Sequence, residues 1–520
     1  MIILPGTGAN NLPPGYEITD YIENTSDTAK LVRFIVTPYT RNATGDGEKC
    51  TGINDTAYIW VEPTAVVRVT PKYDTICDGD YTSIILSTKS VPTSYTRFRY
   101  DVEAPPGVTV TSGPQIGLPH GYEITDQIDN ATDLAQLVWF IVTPYHKDGE
   151  DESVRCPGVP DTSYVWVEPT ALVTVSPKND TVCDGDNVAI LLTSPTVPTR
   201  EVRFRYKHEA PPGVIVAPGT DLDLPLNYTI TDLIVNNTDA AQQVQFIVTP
   251  YTRNAGDDLE KCTGVNDTAF IWVEPTARVT LTPKSDTICD GDNVSITLTS
   301  PSIPSREVRF RYITEAPPGV TVLPGSDSNL PPNYEITDQI INTTNTYQEV
   351  RFIITPYNRN PEDDGEKCSG VNDTAFIYVE PTARVILTPI SDTICDGDNV
   401  SITLTSPSTP TRAVRFRYTH IPVPGVTVIP SLGNGLIPGF EITDQIVNTT
   451  NTTHLVQFIV TPYTRYATGE LERCSGESDT AFIWVEPTTK VILTPMSDTI
   501  CNEETVSIRI TSPSTPTRTV

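Results

Sequence analysis

Positive charge is scarce in this sequence: 35 Lys and Arg stand against 65 Asp and Glu, a formal charge of −30 over 520 residues. Nucleic acid and anionic membrane surfaces both need clustered Lys and Arg, so neither is the expected partner, and the balance favours solubility and an affinity for cations. Histidine is nearly missing too, with five in the chain, which leaves most of it without the commonest general base. No apolar run approaches the length of a membrane span. Met1-Ile-Ile-Leu4 runs straight into Pro5-Gly6 with no basic region, signal-length apolar stretch or cleavage site. Long helices are excluded as well, because 47 prolines place a breaker about every eleven positions, while Thr, Val, Ile and Tyr crowd the intervals.

What is present is a repeat. Asp74-Thr-Ile-Cys-Asp-Gly-Asp80 returns as Asp180-Thr-Val-Cys-Asp-Gly-Asp186, Asp286-Thr-Ile-Cys-Asp-Gly-Asp292 and Asp392-Thr-Ile-Cys-Asp-Gly-Asp398, and in altered form as Asp498-Thr-Ile-Cys-Asn-Glu-Glu504. The step is 106 residues each time, and Cys50, Cys156, Cys262, Cys368 and Cys474 keep it too. The chain is a tandem array of domain-sized units. Its expected divisions are a partial domain at 1–63, repeats at 64–169, 170–275, 276–381 and 382–487, and a partial domain at 488–520. Glu-Pro-Thr, starting at Glu62, Glu168, Glu274, Glu380 and Glu486, joins one unit to the next as a stiff connection. Met1–Gly6 aligns with Val320–Gly325, and Thr511–Val520 with Thr405–Val414, so both ends lie inside a unit. The expectation is either a window on a longer stalk or a self-assembling fibre subunit, whose last strands complete the first domain of the next molecule by strand addition.

Residues 170–275 show how a unit reads. Ala171-Leu-Val-Thr-Val-Ser176 alternates until Pro177 closes it, which marks a first strand. The Asp180–Asp186 motif follows as a turn. Six more strands are expected at Asn187–Thr193, Glu201–Tyr206, Val214–Val216, Asn227–Ile234, Gln243–Thr249 and Thr268–Val273. Val202, Phe204 and Tyr206 face one way and Arg203 and Arg205 the other, while Val244, Phe246 and Val248 point inward up to a stop at Pro250. Seven short strands with no room for a crossover helix give an all-β fold: a tandem array of immunoglobulin-like β-sandwiches in an elongated rod, roughly 40 Å per unit.

The columns Thr-Ile-Cys-Asp-Gly-Asp, Val-Ser-Ile-Thr-Leu-Thr-Ser, Glu-Ile-Thr-Asp-Gln-Ile, Val-Gln-Phe-Ile-Val-Thr-Pro-Tyr and Cys-Ser-Gly before Val-Glu-Pro resemble the PKD-like, Ig-like tandem domains of very large cell-surface and secreted proteins of Bacteroidota. Gliding-motility adhesins and type IX secretion substrates are among those proteins. The resemblance covers the whole chain. One departure is plain: the Trp-Asp-Phe-Gly-Asp-Gly stretch of better-known PKD domains is replaced by Arg-Phe-Arg-Tyr.

The ten cysteines, two per unit, read as a disulfide framework and place the chain outside the cytoplasm. Zinc would want four ligands with a close pair, which no unit offers. In a sandwich of this type the Cys-Asp-Gly-Asp turn lies at the exit end of a domain and the other Cys at the opposite end, about 25 Å away. A bond inside one domain is therefore strained. Stacking end to end brings the exit of one domain to the start of the next, so the preferred pairs are Cys77 with Cys262, Cys183 with Cys368 and Cys289 with Cys474. Cys50, Cys156, Cys395 and Cys501 belong to the same framework; sequence-local pairs such as Cys50 with Cys77 come second and free thiols last.

Acidic residues share that junction. Asp78, Asp80, Asp184, Asp186, Asp290 and Asp292 of the turns, Glu274 of a linker, and Asp363 and Asp364 of an acidic loop form oxygen-rich groups that suit Ca²⁺, although solvated acidic loops are the commoner arrangement. No nucleophile, base and orienter recur in register, so the chain is not read as an enzyme, and no cofactor other than calcium is implied. The Arg97/Arg99, Arg203/Arg205, Arg309/Arg311 and Arg415/Arg417 stripe could bind an anionic polysaccharide, with cross-strand carboxylates as the more frequent partner. The Trp60, Trp166, Trp272, Tyr378 and Trp484 column is either half-buried packing or an exposed stripe that stacks on sugars. Asn-x-Ser/Thr triplets at Asn54, Asn130, Asn266, Asn372 and Asn448 are candidate N-glycosylation sites. The resemblance implies O-glycosylation at Asp-Thr followed by Ala, Ile or Val, which fits Thr56, Thr75, Thr268 and Thr374. The function expected is an extracellular stalk or filament within a bacterial surface adhesin, partnered by itself or neighbouring repeats. A carbohydrate-binding array that engages surface glycans is the alternative; exposure of the tryptophan column beside the arginines would favour it and burial would favour the stalk.

Overall fold

The alternating runs become strands in a computed structural model that describes residues 1–4, 8–43, 47–147, 154–253, 256, 259–359, 365–466 and 471–517. Among the described residues every regular element is a strand, and no helix is long and apolar enough to cross a membrane. The chain divides into two units, Met1–Val235 with Gln243–Val273, and Asn236–Gln242 with Glu274–Val520.

In the first unit, residues 64–169 build one sheet in the order Gln115–Leu118, Thr96–Glu103, Gln136–Lys147, Asp161–Val167, Tyr73–Ile76, with Val154–Pro157 also paired to Gln136–Lys147. A second sheet runs Glu123–Ile124, Ile84–Ser87, Arg68–Thr70, and Val108–Val110 pairs with Ile128–Asn130. The inward positions of both sheets meet in a core of Ile84, Leu86, Phe98, Tyr100, Phe140 and Val165. Each buried aromatic ring contributes roughly 2–3 kcal/mol by leaving water. In the second unit residues 276–381 repeat the plan, with Ser285–Ile288, Asp373–Val379, Gln348–Arg359, Val308–Glu315 and Ser326–Leu330 in one sheet. This is an Ig-like sandwich written in tandem.

Several elements depart from expectation for local physical reasons. The strand expected to stop at Pro250 runs through it, as Gln242–Arg253. In the preceding repeat the equivalent Gln136–Lys147 pairs with Asp161–Val167 as far as Val142, and with Val154–Pro157 only from Tyr145. Pro144 falls in the gap between those partners, so its missing N–H forfeits no ladder bond. The Asp180 motif begins as a strand, Asn179–Val182, laid parallel to Asp267–Val273. The single long strand expected at Asn227–Ile234 divides into Thr229–Ile230 and Leu233–Asn236, because Asp232 between them turns into the core.

That buried carboxylate is matched by donors. The Tyr206 hydroxyl donates to Asp232 at 2.7 Å and the Gly219 amide at 2.9 Å; Tyr100 meets Asp126, Tyr312 meets Asp338 and Tyr418 meets Asp444 in the same way. Burial, aided by the acidic partner, pushes each tyrosine well above its ordinary range. A different carboxylate shifts the other way. Burial pushes Asp161 up, but the Lys72 ammonium at 2.9 Å and the Val69 and Thr162 amides outweigh it and hold the carboxyl below its usual value.

Two outcomes follow. Tyr206→Phe leaves Asp232 short of a donor and should cost about 1–3 kcal/mol, read as faster native-state hydrogen exchange in the core strands of residues 170–275; unchanged exchange would contradict the pairing. Because Asp161 is depressed on folding, its contribution is complete above the ordinary carboxylate range and is lost as pH falls through the lowered pKa. Asp161→Asn should therefore flatten the acid limb of a thermal-stability profile, and an unchanged limb would exclude this role.

Candidate functional site at the joint between repeats

Where the Asp161–Val167 strand ends, the Glu168 amide donates to the Ile76 carbonyl at 2.9 Å, which carries the backbone straight out of the sheet. The Glu168 carboxylate is fully buried and accepts the amide of Thr199 at 2.9 Å together with the Thr199 hydroxyl. Thr199 belongs to the following repeat, so a linker side chain caps its neighbour's loop. In the second unit Glu274 holds Ser305, Glu380 holds Thr411 and Glu486 holds Thr517 in the same manner. Beside this cap the Ala135 amide donates to Val197 at 3.0 Å and the Val197 amide to Asp133 at 2.8 Å, a two-bond parallel bridge between repeats. The proline carbonyl of the linker is also met: buried His146 donates through Nε2 to Pro63 at 2.9 Å, and Asn358 through Nδ2 to Pro275 at 3.3 Å.

The acidic turns serve the same joint. Asp78 accepts the Asn130 amide at 2.7 Å and the Thr170 hydroxyl; Asp290 accepts Asn342 at 2.7 Å and the Thr382 hydroxyl. Asp80 and Asp292 each accept the amide of the turn cysteine at 3.2 Å, and the Asp186 amide donates to the Cys183 carbonyl at 3.1 Å in the equivalent turn, which also holds Asp184. Asp363 and Asp364 lie outside the described residues. Among the described residues no three His, Cys, Asp or Glu gather closely enough to hold a metal ion.

The cysteines come together across the joints. Cys77 is bonded to Cys262 with Cα atoms 5.6 Å apart, and Cys289 to Cys474 with 5.7 Å, each pair 185 residues apart in sequence. Cys183 and Cys368 are oxidised as well. Cys50, Cys395 and Cys501, expected in the same framework, are exposed thiols.

Sequence reasoning missed the glycine beside each of these cysteines. A Cβ on Gly264 would lie 1.9 Å from the carbonyl oxygen of Ala171, and one on Gly370 2.1 Å from that of Ala277. The close approach lets the Val265 amide bond to Ala171 at 3.0 Å, tying the last loop of a repeat to its own first residues. Cys-x-Gly recurs in every copy, at Gly52, Gly158, Gly264, Gly370 and Gly476, so the signal was present without its reason. The Asn-x-Thr triplets at Asn130 and Asn448 prove to be structural. Each asparagine is buried; Asn130 Oδ1 accepts the amide and hydroxyl of Thr132 while Nδ2 donates to Leu134 and Val167 at 2.9 and 3.0 Å. Those amides are closed to glycosylation in the folded chain, whereas Asn54, Asn266 and Asn372 are exposed. Thr56, Thr75, Thr268 and Thr374 are half-buried on strands.

The arginine stripe is largely paired with carboxylates: Arg205 with Glu260, Arg311 with Glu366 at 2.5 Å and Arg417 with Glu472 at 2.6 Å. The aromatic column is open, with Trp60 at 57 %, Trp166 at 38 %, Trp272 at 40 % and Trp484 at 39 % exposure.

Residues 286–383 match the family described as PKD-like domain. No curated protein sequence matches the chain. Among solved structures, the ICAM-5 D1–D4 ectodomain fragment is 10 % identical, with 81 % of this chain and 99 % of that chain covered at a TM-score of 0.26. The N-terminal eight Ig domains of Down Syndrome Cell Adhesion Molecule are 11 % identical, covering 87 % and 60 % at 0.19. Native Escherichia coli alpha-2-macroglobulin is 9 % identical, covering 87 % and 42 % at 0.20.

Glu168→Ala removes the acceptor of both Thr199 donors. It should cost about 1–2 kcal/mol at the joint, so that amide exchange at Val197 and Thr199 quickens roughly tenfold while Gln136–Lys147 keeps its protection. Equal exchange in both chains would exclude the cap.

Proposed function

We propose that this chain of PKD-like, Ig-like repeats is a load-bearing extracellular stalk, a spacer segment of a large bacterial surface adhesin. Tandem Ig-like domains and disulfides belong to extracellular structural or adhesive roles. The observation that carries the finer reading is the pair of bonds Cys77–Cys262 and Cys289–Cys474. Tension applied along the chain passes through each bond instead of through the polypeptide it bridges, so the strands between are shielded from the pull. The buried linker carboxylates and the parallel bridges hold the joints under the same load, and the chain is expected at the cell surface with neighbouring repeats as its partners.

A second reading has its own observation. The open aromatic column lies on the outward sheet face, which is the arrangement a multivalent glycan-binding array would use.

Single-molecule stretching tests the stalk. In the oxidised chain the 185-residue spans stay hidden, and reduction should add about 650 Å of contour length per bond at roughly 3.5 Å per residue. Equal lengths with and without reductant would remove the bonds from the load path.

A further inference from the structure

The outward face of residues 64–169 carries one aromatic row that its siblings lack. Across the sheet, Tyr73 pairs with Tyr164, Tyr164 with Trp139 and Trp139 with Glu103. Tyr73 and Tyr164 stack at 5.2 Å with planes 14° apart, and Trp139 meets Tyr164 edge-on at 5.9 Å. The equivalents of Trp139 are Arg33, Gln245, Arg351 and Gln457, and those of Tyr73 in the complete repeats are Asn179, Ser285 and Ser391. In residues 276–381 the position is closed over: Arg351 lies 5.9 Å from the Phe376 ring and pairs with Glu349 at 2.9 Å. Repeats that agree closely in their core columns have diverged here, on a surface where packing does not require it.

Trp139 and Trp166 line a shallow hollow of about 490 Å³ together with Leu137 and Pro105. Trp166 is the diagonal neighbour of Trp139 across the strand pair, a separation of about 7–8 Å that admits one flat ring against the indoles. Both indoles are open, at 42 % and 38 % exposure. Glu103 and Gln136 bring hydrogen-bonding groups to the rim, and the Gln136 amide is steadied by the Thr132 hydroxyl at 3.1 Å.

We infer that this hollow is a glycan subsite that takes a neutral pyranose. Indole faces match the C–H faces of a sugar ring, and a carboxylate and an amide match its hydroxyls. Charge selects among sugars. The hollow has a carboxylate and no cation in its lining, on a chain of formal charge −30, so sulfated and uronic glycans are repelled. The hollow is too wide and open to close around an ammonium head. The subsite does not depend on the array reading, which would spread binding over the whole tryptophan column; here binding belongs to one repeat.

The test titrates the full chain with cellopentaose, maltopentaose, mannopentaose and N-acetylchitopentaose, following tryptophan fluorescence and calorimetric heat. At least one should saturate, and Trp139→Gln should weaken it tenfold or more; glutamine already occupies the position in two sibling repeats, so the fold tolerates it. Trp272→Tyr, which copies the Tyr378 of a sibling, should leave affinity unchanged, and Glu103→Gln should weaken binding without abolishing it. The inference is overturned if none of the four saturates, if Trp139→Gln binds as the parent does, or if a heparin oligosaccharide competes for the same tryptophan signal. Equal losses in Trp139→Gln and Trp272→Tyr would overturn the single subsite and leave the array standing.

Discussion

A carboxylate taken out of water must find donors, and the linker glutamate Glu168 finds them on the next repeat. Glu168 is placed by its own strand and satisfied by Thr199 of another domain. Neither residue is fully satisfied until the two domains are seated together, so the joint is specified by the same rule that specifies a core. The parallel bridge between Leu134 and Val197 and the Asp78–Thr170 contact lie around this point. The disulfide is then a covalent addition to a geometry that hydrogen bonds already define. Its chain-entropy benefit is large because the loop it closes is long.

The polar residues repeated in every copy are mostly spent on structure. Asn130 closes a turn and caps a strand, Asp126 receives Tyr100, and Asp78 splits its two oxygens between its own repeat and the next. Repeated polar columns look like ligand sites in sequence because ligand sites also need polar side chains held at fixed places. The difference lies in whether the protein supplies the partners. Here it does, which is why the acidic turns present occupied carboxylates and why divergence between copies, at Trp139 and Tyr73, points to chemistry more directly than repetition does.

Strand identity was legible where one face is core: Val202, Phe204 and Tyr206 alternate cleanly and are inward. It was not legible where pairing is held by backbone alone. Asn179–Val182 has no apolar alternation to declare it, and Thr220–Leu224 alternates Asp with Leu but buries only Leu224; both pair with a neighbouring strand through the backbone. Pro250 reads as a terminator because proline is disfavoured in a central strand, yet its backbone faces the edge where the partner changes, while Val202–Glu209 pairs continuously along the other edge.

The sequence by itself determined the period, the sandwich class and the inward residues, because these depend on spacing and on burial of apolar side chains, both written along the chain. It also marked which cysteines and linkers matter by repeating them. Tertiary structure alone decided what each polar group meets: that Glu168 reaches Thr199, that Gly264 must lack a side chain because the Ala171 carbonyl occupies its place, and that Trp139 and Trp166 share one hollow. Such contacts join positions 31, 93 or 27 residues apart, distances over which no local periodicity carries information, so only the folded chain can state them.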